Sequence, residues 1–104
     1  MKTHDQVVAI AKATLEIEAQ SISALIKFID TDFTKAVSEL FNSKGRVIVT
    51  GVGKSAIIAQ KITATFNSTG TPAVFMHAAD AVHGDLGIIQ KSDTIICISK
   101  SGKP

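Results

Sequence analysis

The sequence predicts an α/β fold of three-layer αβα type, built on a doubly wound parallel sheet. Three observations predict it. Short β-branched apolar runs recur three times, helix-period segments separate them, and turns rich in glycine and serine follow the first and third runs. The first element is a helix over about 4–29. Thr3 and Gln6 form a capping-box pattern, and Val8, Ala11, Leu15, Ala19, Ile22, Ile26 and Ile29 follow at spacings of three and four. Asp30, Thr31 and Asp32 interrupt that stripe and offer a new N-cap. A second helix, about 32–43, then carries Ala36, Val37, Leu40 and Phe41 and closes at Gly45. The run from Arg46 to Thr50 is the first strand, and its lack of polar alternation marks a strand buried on both faces. Gly51 to Ser55 turn the chain into a helix carrying Ile58, Ile62 and Phe66. Strands from Thr71 to Met76 and from Thr94 to Ser99 complete the pattern.

Composition narrows the function. The chain has 104 residues with 11 Lys and Arg against 9 Asp and Glu, a formal charge of +2, so nucleic acid and anionic membranes are not expected partners. Hydrophobic residues make up 45%, which excludes disorder. Uninterrupted apolar stretches such as Val7 to Ala11 fall far short of the roughly 18 to 20 residues that a membrane span needs. A lone cysteine, Cys97, rules out an internal disulfide and fits a cytoplasmic location. Flanked by isoleucines, it reads as a buried, inert thiol. The third strand asks for a further helix and strand beside it, so the 104 residues are expected to be the N-terminal part of one larger domain. Its bare edge and the long apolar stripe of the first helix predict a homo-oligomer.

Two turns carry the chemistry. Gly51-Val-Gly-Lys-Ser55 follows a strand and opens a helix, so backbone N–H groups there can hold an anion. Ser99-Lys-Ser-Gly-Lys103 stands in the same relation to the third strand and adds two hydroxyls and two ammonium groups. In the order 2-1-3 both turns flank the topological switch point, where open α/β sheets bind ligands. The plainer alternative is that Gly and Ser make good turns. A triphosphate loop of Walker type is excluded, because Ile48 stands where that motif needs its first glycine. A dinucleotide fold would put an acidic residue after the second strand, where Met76 and His77 stand instead.

Gly51-Val-Gly-Lys-Ser55, Ser68-Thr-Gly-Thr-Pro72, Val82-His-Gly-Asp-Leu-Gly87 and Ser99-Lys-Ser-Gly102 resemble, in order and spacing, the sugar isomerase (SIS) domain of arabinose-5-phosphate isomerases. The resemblance implies a flavodoxin-like strand order and interconversion of arabinose 5-phosphate with ribulose 5-phosphate, feeding Kdo synthesis for the bacterial outer envelope. It also implies a pentose phosphate as partner, homotetramers, and no metal or other cofactor. Many such proteins add two CBS domains, which these 104 residues do not contain.

Aldose–ketose isomerisation needs a base, a cation or acid at the developing oxyanion, and a phosphate anchor. Lys54 matches the family's active-site lysine, and His83 its functional histidine, suited to ring opening or proton shuttling. Gly51, Gly53, Ser55, Ser99, Ser101 and Gly102 match substrate- and phosphate-binding positions, while Asp85 is expected to orient the loop behind His83. The plainer readings are a solvated lysine at a helix start and a structural histidine. His77 and His4 are expected to be structural and solvent-exposed respectively. Lys103 and Pro104 depart from the family pattern, which continues with an acidic residue and a hydroxyl. The family's proton-transfer glutamate falls past the last residue, so the 104 residues by themselves are expected to be inactive. A SIS module that senses a sugar phosphate without turning it over is the competing reading.

Overall fold

The computed structural model describes residues 2–79 and 85–100. Its elements run α1 (His4–Ser23), a 3-10 helix (Ala24–Phe28), α2 (Thr31–Asn42), β1 (Val47–Gly51), α3 (Lys54–Ser68), β2 (Ala73–His77), a second 3-10 helix (Asp85–Ile88) and β3 (Thr94–Ile98). The chain divides into two units, Met1–Ala36 and Val37–Pro104.

In the first unit the capping box forms as its residues dictate. The backbone N–H of Gln6 donates to Thr3 Oγ1 at 3.3 Å, and that of Thr3 donates back to Gln6 Oε1 at 2.9 Å. The periodic stripe continues past Ser23, but its last turn tightens into the 3-10 helix and ends at Ile29, which is extended. The N–H groups of Asp32 and Phe33 then donate to Asp30 Oδ1, which starts α2. α1 buries none of its residues; Leu15 and Ile22 are 66% and 68% exposed.

The second unit is organised by β1. Its five residues are all buried, with Ile48 and Val49 completely so. β1 lies between two parallel neighbours in the order β2-β1-β3, pairing Val47 with Ala73 and Thr94 at one end and Gly51 with His77 and Ile98 at the other. This is the anticipated 2-1-3 order. Val47 and Val49 pack with Ala59 of α3 and Ala73 of β2, and Ile62, Phe66, Phe75, Ile96 and Ile98 close over them. Ile48 and Thr50 alternate to the opposite face and are buried too, so the central strand is enclosed on both sides, as the three-layer architecture requires. Full burial of each large aliphatic side chain contributes about 1.5–3 kcal/mol.

Cys97 is not the buried thiol its sequence setting predicts; it is exposed. β3 is an edge strand among the described residues, and alternation turns Ile95 and Cys97 to the face away from α3 while Ile96 and Ile98 pack on the core. The strands themselves begin and end within two residues of their expected bounds.

The amino ends of β1 and β3 are clasped by a side-chain pair. Asp93, with its side chain only 1% exposed, accepts from Arg46 N at 3.0 Å, Arg46 Nη2 at 2.9 Å and Gln90 N at 2.7 Å. Arg46 Nη2 also donates to the Ile88 carbonyl at 2.7 Å. Another clasp joins α3 to β2: Asn67 exchanges two hydrogen bonds with the backbone of Ala73.

The Arg46 side chain, aided by the Gln90 and Arg46 backbone N–H groups, lowers the Asp93 carboxyl from its usual 3.8 to about 2. A depressed carboxyl stabilises the fold above its unfolded value and loses that contribution as pH falls through the folded one. Stability should therefore decline from about pH 4 toward pH 2 as Asp93 gains its proton. Denaturant titrations across that window should show the decline reduced in Asp93→Asn, together with lower stability at neutral pH.

Candidate functional site

Where β1 ends, the backbone must turn at once into α3. Gly51 permits the close approach: a Cβ there would lie 2.9 Å from the carbonyl carbon and oxygen of Ser55 and 3.1 Å from the Ala56 nitrogen. Gly53 completes the turn at φ 61° and ψ −131°, a conformation side chains disfavour. Those two glycines set the amino end of α3 against the carboxyl end of the central strand.

That helix start differs from its counterparts. α1 is capped by Thr3 and α2 by Asp30, each with an acidic residue in its first turn. α3 has no side-chain cap and no acidic residue in its first turn, and its first residue is Lys54. A cation at the positive end of a helix is electrostatically unfavourable without an anion beside it. Lys54 is exposed and Ser55 half-buried. Ser99 and Lys100 emerge, both exposed, from the carboxyl end of β3, which pairs in register with β1. The two turns thus flank the β1/β3 boundary, the switch point of the sheet.

The structure brings Gly51, Gly53, Lys54, Ser55 and Ser99 to one edge of the sheet. His83, Ser101 and Gly102 lie outside the described residues. The backbone of Asp85 begins the second 3-10 helix. His77, half-buried at the end of β2, accepts from the Ala79 N–H at Nδ1 over 3.1 Å and meets the Phe75 ring edge-on at 6.3 Å. Those contacts occupy it locally. His4 is exposed at the start of α1. Among the described residues, no group of three or more His, Cys, Asp or Glu could hold a metal ion.

One polar group at this edge escapes sequence reasoning. Thr50 is buried at the end of β1, yet its Oγ1 has no hydrogen-bond partner among the described residues. Register sets it between Met76 and Cys97, neither an effective partner. The available signal was a hydroxyl at the end of an apolar run.

Comparison with protein families matches residues 39–103 to the SIS domain. A parallel sheet of this order with a helix packed on it is that of an α/β domain with a switch point beside its central strand, and the family match shows that the chain belongs to the SIS family. An arabinose 5-phosphate isomerase of Yersinia pestis is 47% identical over 92 residues, and the one of Escherichia coli K12 is 46% identical over the same length. Those matches take in 88% of this chain but 28% of each relative, so the chain spans little more than a quarter of their length. Among solved structures, an E. coli CFT073 protein in complex with arabinose 5-phosphate superimposes with a TM-score of 0.87 at 39% identity, over 94% of this chain and 52% of that one. A Listeria monocytogenes structure, of a sugar-phosphate isomerase by its description, gives 0.89 at 35%, over 98% and 54%. The fold anticipated from the sequence is the fold of these neighbours.

Two substitutions test the architecture of this edge. Gly51→Ala should push α3 from the strand end and lower stability by about 1–3 kcal/mol, as overpacking does. Thr50→Val, which removes the orphaned hydroxyl at nearly constant volume, should raise stability by about 1 kcal/mol. Urea denaturation reads both, and a loss in Thr50→Val would show that the hydroxyl has a partner.

Proposed function

We propose that this chain is the N-terminal, phosphosugar-binding part of the SIS domain of an aldose–ketose isomerase that interconverts arabinose 5-phosphate and ribulose 5-phosphate. The observation that carries the reading is the uncapped, cationic start of α3 beside the hydroxyl-bearing turn after β3, at the switch point. The relatives named as arabinose 5-phosphate isomerases, and the neighbour holding that sugar phosphate, supply the chemical identity of the ligand.

The reaction opens the sugar ring, moves a proton between C1 and C2, and passes through an enediolate. Lys54 stabilises the oxyanion of that intermediate as a cation placed where negative charge develops. His83 opens the ring or relays a proton, with Asp85 orienting it. Ser55, Ser99, Ser101 and the backbones of Gly51, Gly53 and Gly102 hold the substrate and its phosphate. The reading calls for no metal or other cofactor. The C1–C2 transfer needs a carboxylate, and no acidic residue follows Asp93 in the 104 residues. The isomerase relatives are more than three times as long as the segment matched, and the complete reaction is assigned to a protein of that length.

The enzyme works in the cytoplasm as a homo-oligomer, a tetramer by resemblance, and its product chemistry feeds Kdo and lipopolysaccharide synthesis. The unburied apolar residues of α1 support assembly. No helix among the described residues is long and apolar enough to cross a membrane.

Calorimetry should show that arabinose 5-phosphate binds while arabinose does not, and equal binding of both would defeat the reading. Lys54→Ala should cripple turnover of ribulose 5-phosphate in a longer protein containing this segment. The 104 residues alone should fall short of that protein by about 10² to 10⁴-fold, the usual contribution of general acid–base catalysis.

A further inference from the structure

Charge along the second unit is unevenly distributed. No acidic residue occurs from Arg46 to Ala79 or from Thr94 to Lys100, stretches that supply all three strands and α3. The ion pair among the described residues, Arg46 with Asp93, lies at the amino end of the sheet, where Lys44 and Lys91 are also exposed. At the carboxyl end two lysines follow paired strands: Lys54 opens α3 three residues past the end of β1, and Lys100 lies two residues past the end of β3. Both therefore lie at the carboxyl end of the sheet, one after each of two neighbouring strands. Both are exposed, neither has a salt bridge among the described residues, and the amino end of α3 adds its own positive field. Two cations and a helix start of the same sign repel one another unless an anion lies between them.

We infer that Lys100 is a specificity-determining residue of the site, supplying the cation on the β3 side that reads the charge of the ligand's phosphate while Lys54 serves the sugar end. The inference rests on the function proposed above and adds a residue to it. Two cations in separate turns divide the labour: a single lysine cannot stabilise an oxyanion at C1 or C2 and also neutralise a phosphate at C5, several bonds away. Lys100, exposed like Ser99 before it, can meet the phosphate without displacing any packed group. Its contribution is therefore electrostatic, screened by salt and reproduced by another cation of similar length.

Calorimetric titration with arabinose 5-phosphate at low and high salt, on the unaltered chain and on Lys100→Gln, Lys100→Arg and Lys61→Gln, tests it. Lys61 is an exposed lysine within α3 and serves as the charge control. Lys100→Gln should weaken binding roughly fivefold at low salt, the upper range for one exposed ion pair, with a shallower dependence of affinity on salt. Lys100→Arg should stay within about twofold and Lys61→Gln should match the unaltered chain, as screening of a distant charge requires. Inorganic phosphate as competitor should be needed at proportionally higher concentration in Lys100→Gln. Unchanged affinity and salt dependence in Lys100→Gln would overturn the inference, as would an equal loss in Lys100→Arg. If the unaltered chain binds arabinose 5-phosphate no better than arabinose, the proposed function itself fails, and this inference with it.

Discussion

Complete burial of the central strand is the constraint on which the rest of the second unit depends. Val47, Ile48 and Val49 can be withdrawn from water on both faces with a net gain only if their backbone groups are paired on both edges, because an unpaired buried peptide group costs about as much as the burial of a side chain beside it contributes. β2 and β3 provide those pairings in parallel. Parallel pairing in turn forces each connection to cross from one end of the sheet to the other. Every chain segment leaving a strand therefore does so at the same edge, and that edge collects the turns. The edge that carries the candidate site is a geometric by-product of burying three aliphatic residues.

Much of this was legible because the signals were local. A hydroxyl three residues before a glutamine, an aspartate at the interruption between two periodic stripes, and a β-branched run flanked by glycines each specify their structure through contacts within a few residues. The strand order came with the family resemblance, and in that order the two ligand-type turns flank the switch point.

What escaped was non-local. Cys97 has isoleucine neighbours in sequence, but its exposure depends on which strand forms the edge and which face alternation gives it. The Arg46–Asp93 clasp joins residues 47 apart in sequence, and nothing around either one marks the other. Thr50 carries an ordinary hydroxyl; only the register that sets it between two sulfur-bearing side chains deprives it of a partner. The tightening of the first helix beyond Ser23 breaks no periodicity and so left no trace in the apolar pattern. The candidate residues Gly51, Gly53, Lys54, Ser55 and Ser99 were legible as candidates because they cluster within a few residues of two strand ends, a local signal.

The Arg46–Asp93 clasp and the lysine-bearing turns sit at opposite ends of the same strands. A five-residue strand spans about 16 Å, beyond the range over which substitutions ordinarily couple. Loss of the clasp and changes in the turns should thus combine additively in free energy. Such separation lets the turns change in sequence while the fastening at the far end stays untouched. A β-sheet of this kind is an evolvable scaffold because its anchor and its loops share strands but not neighbours.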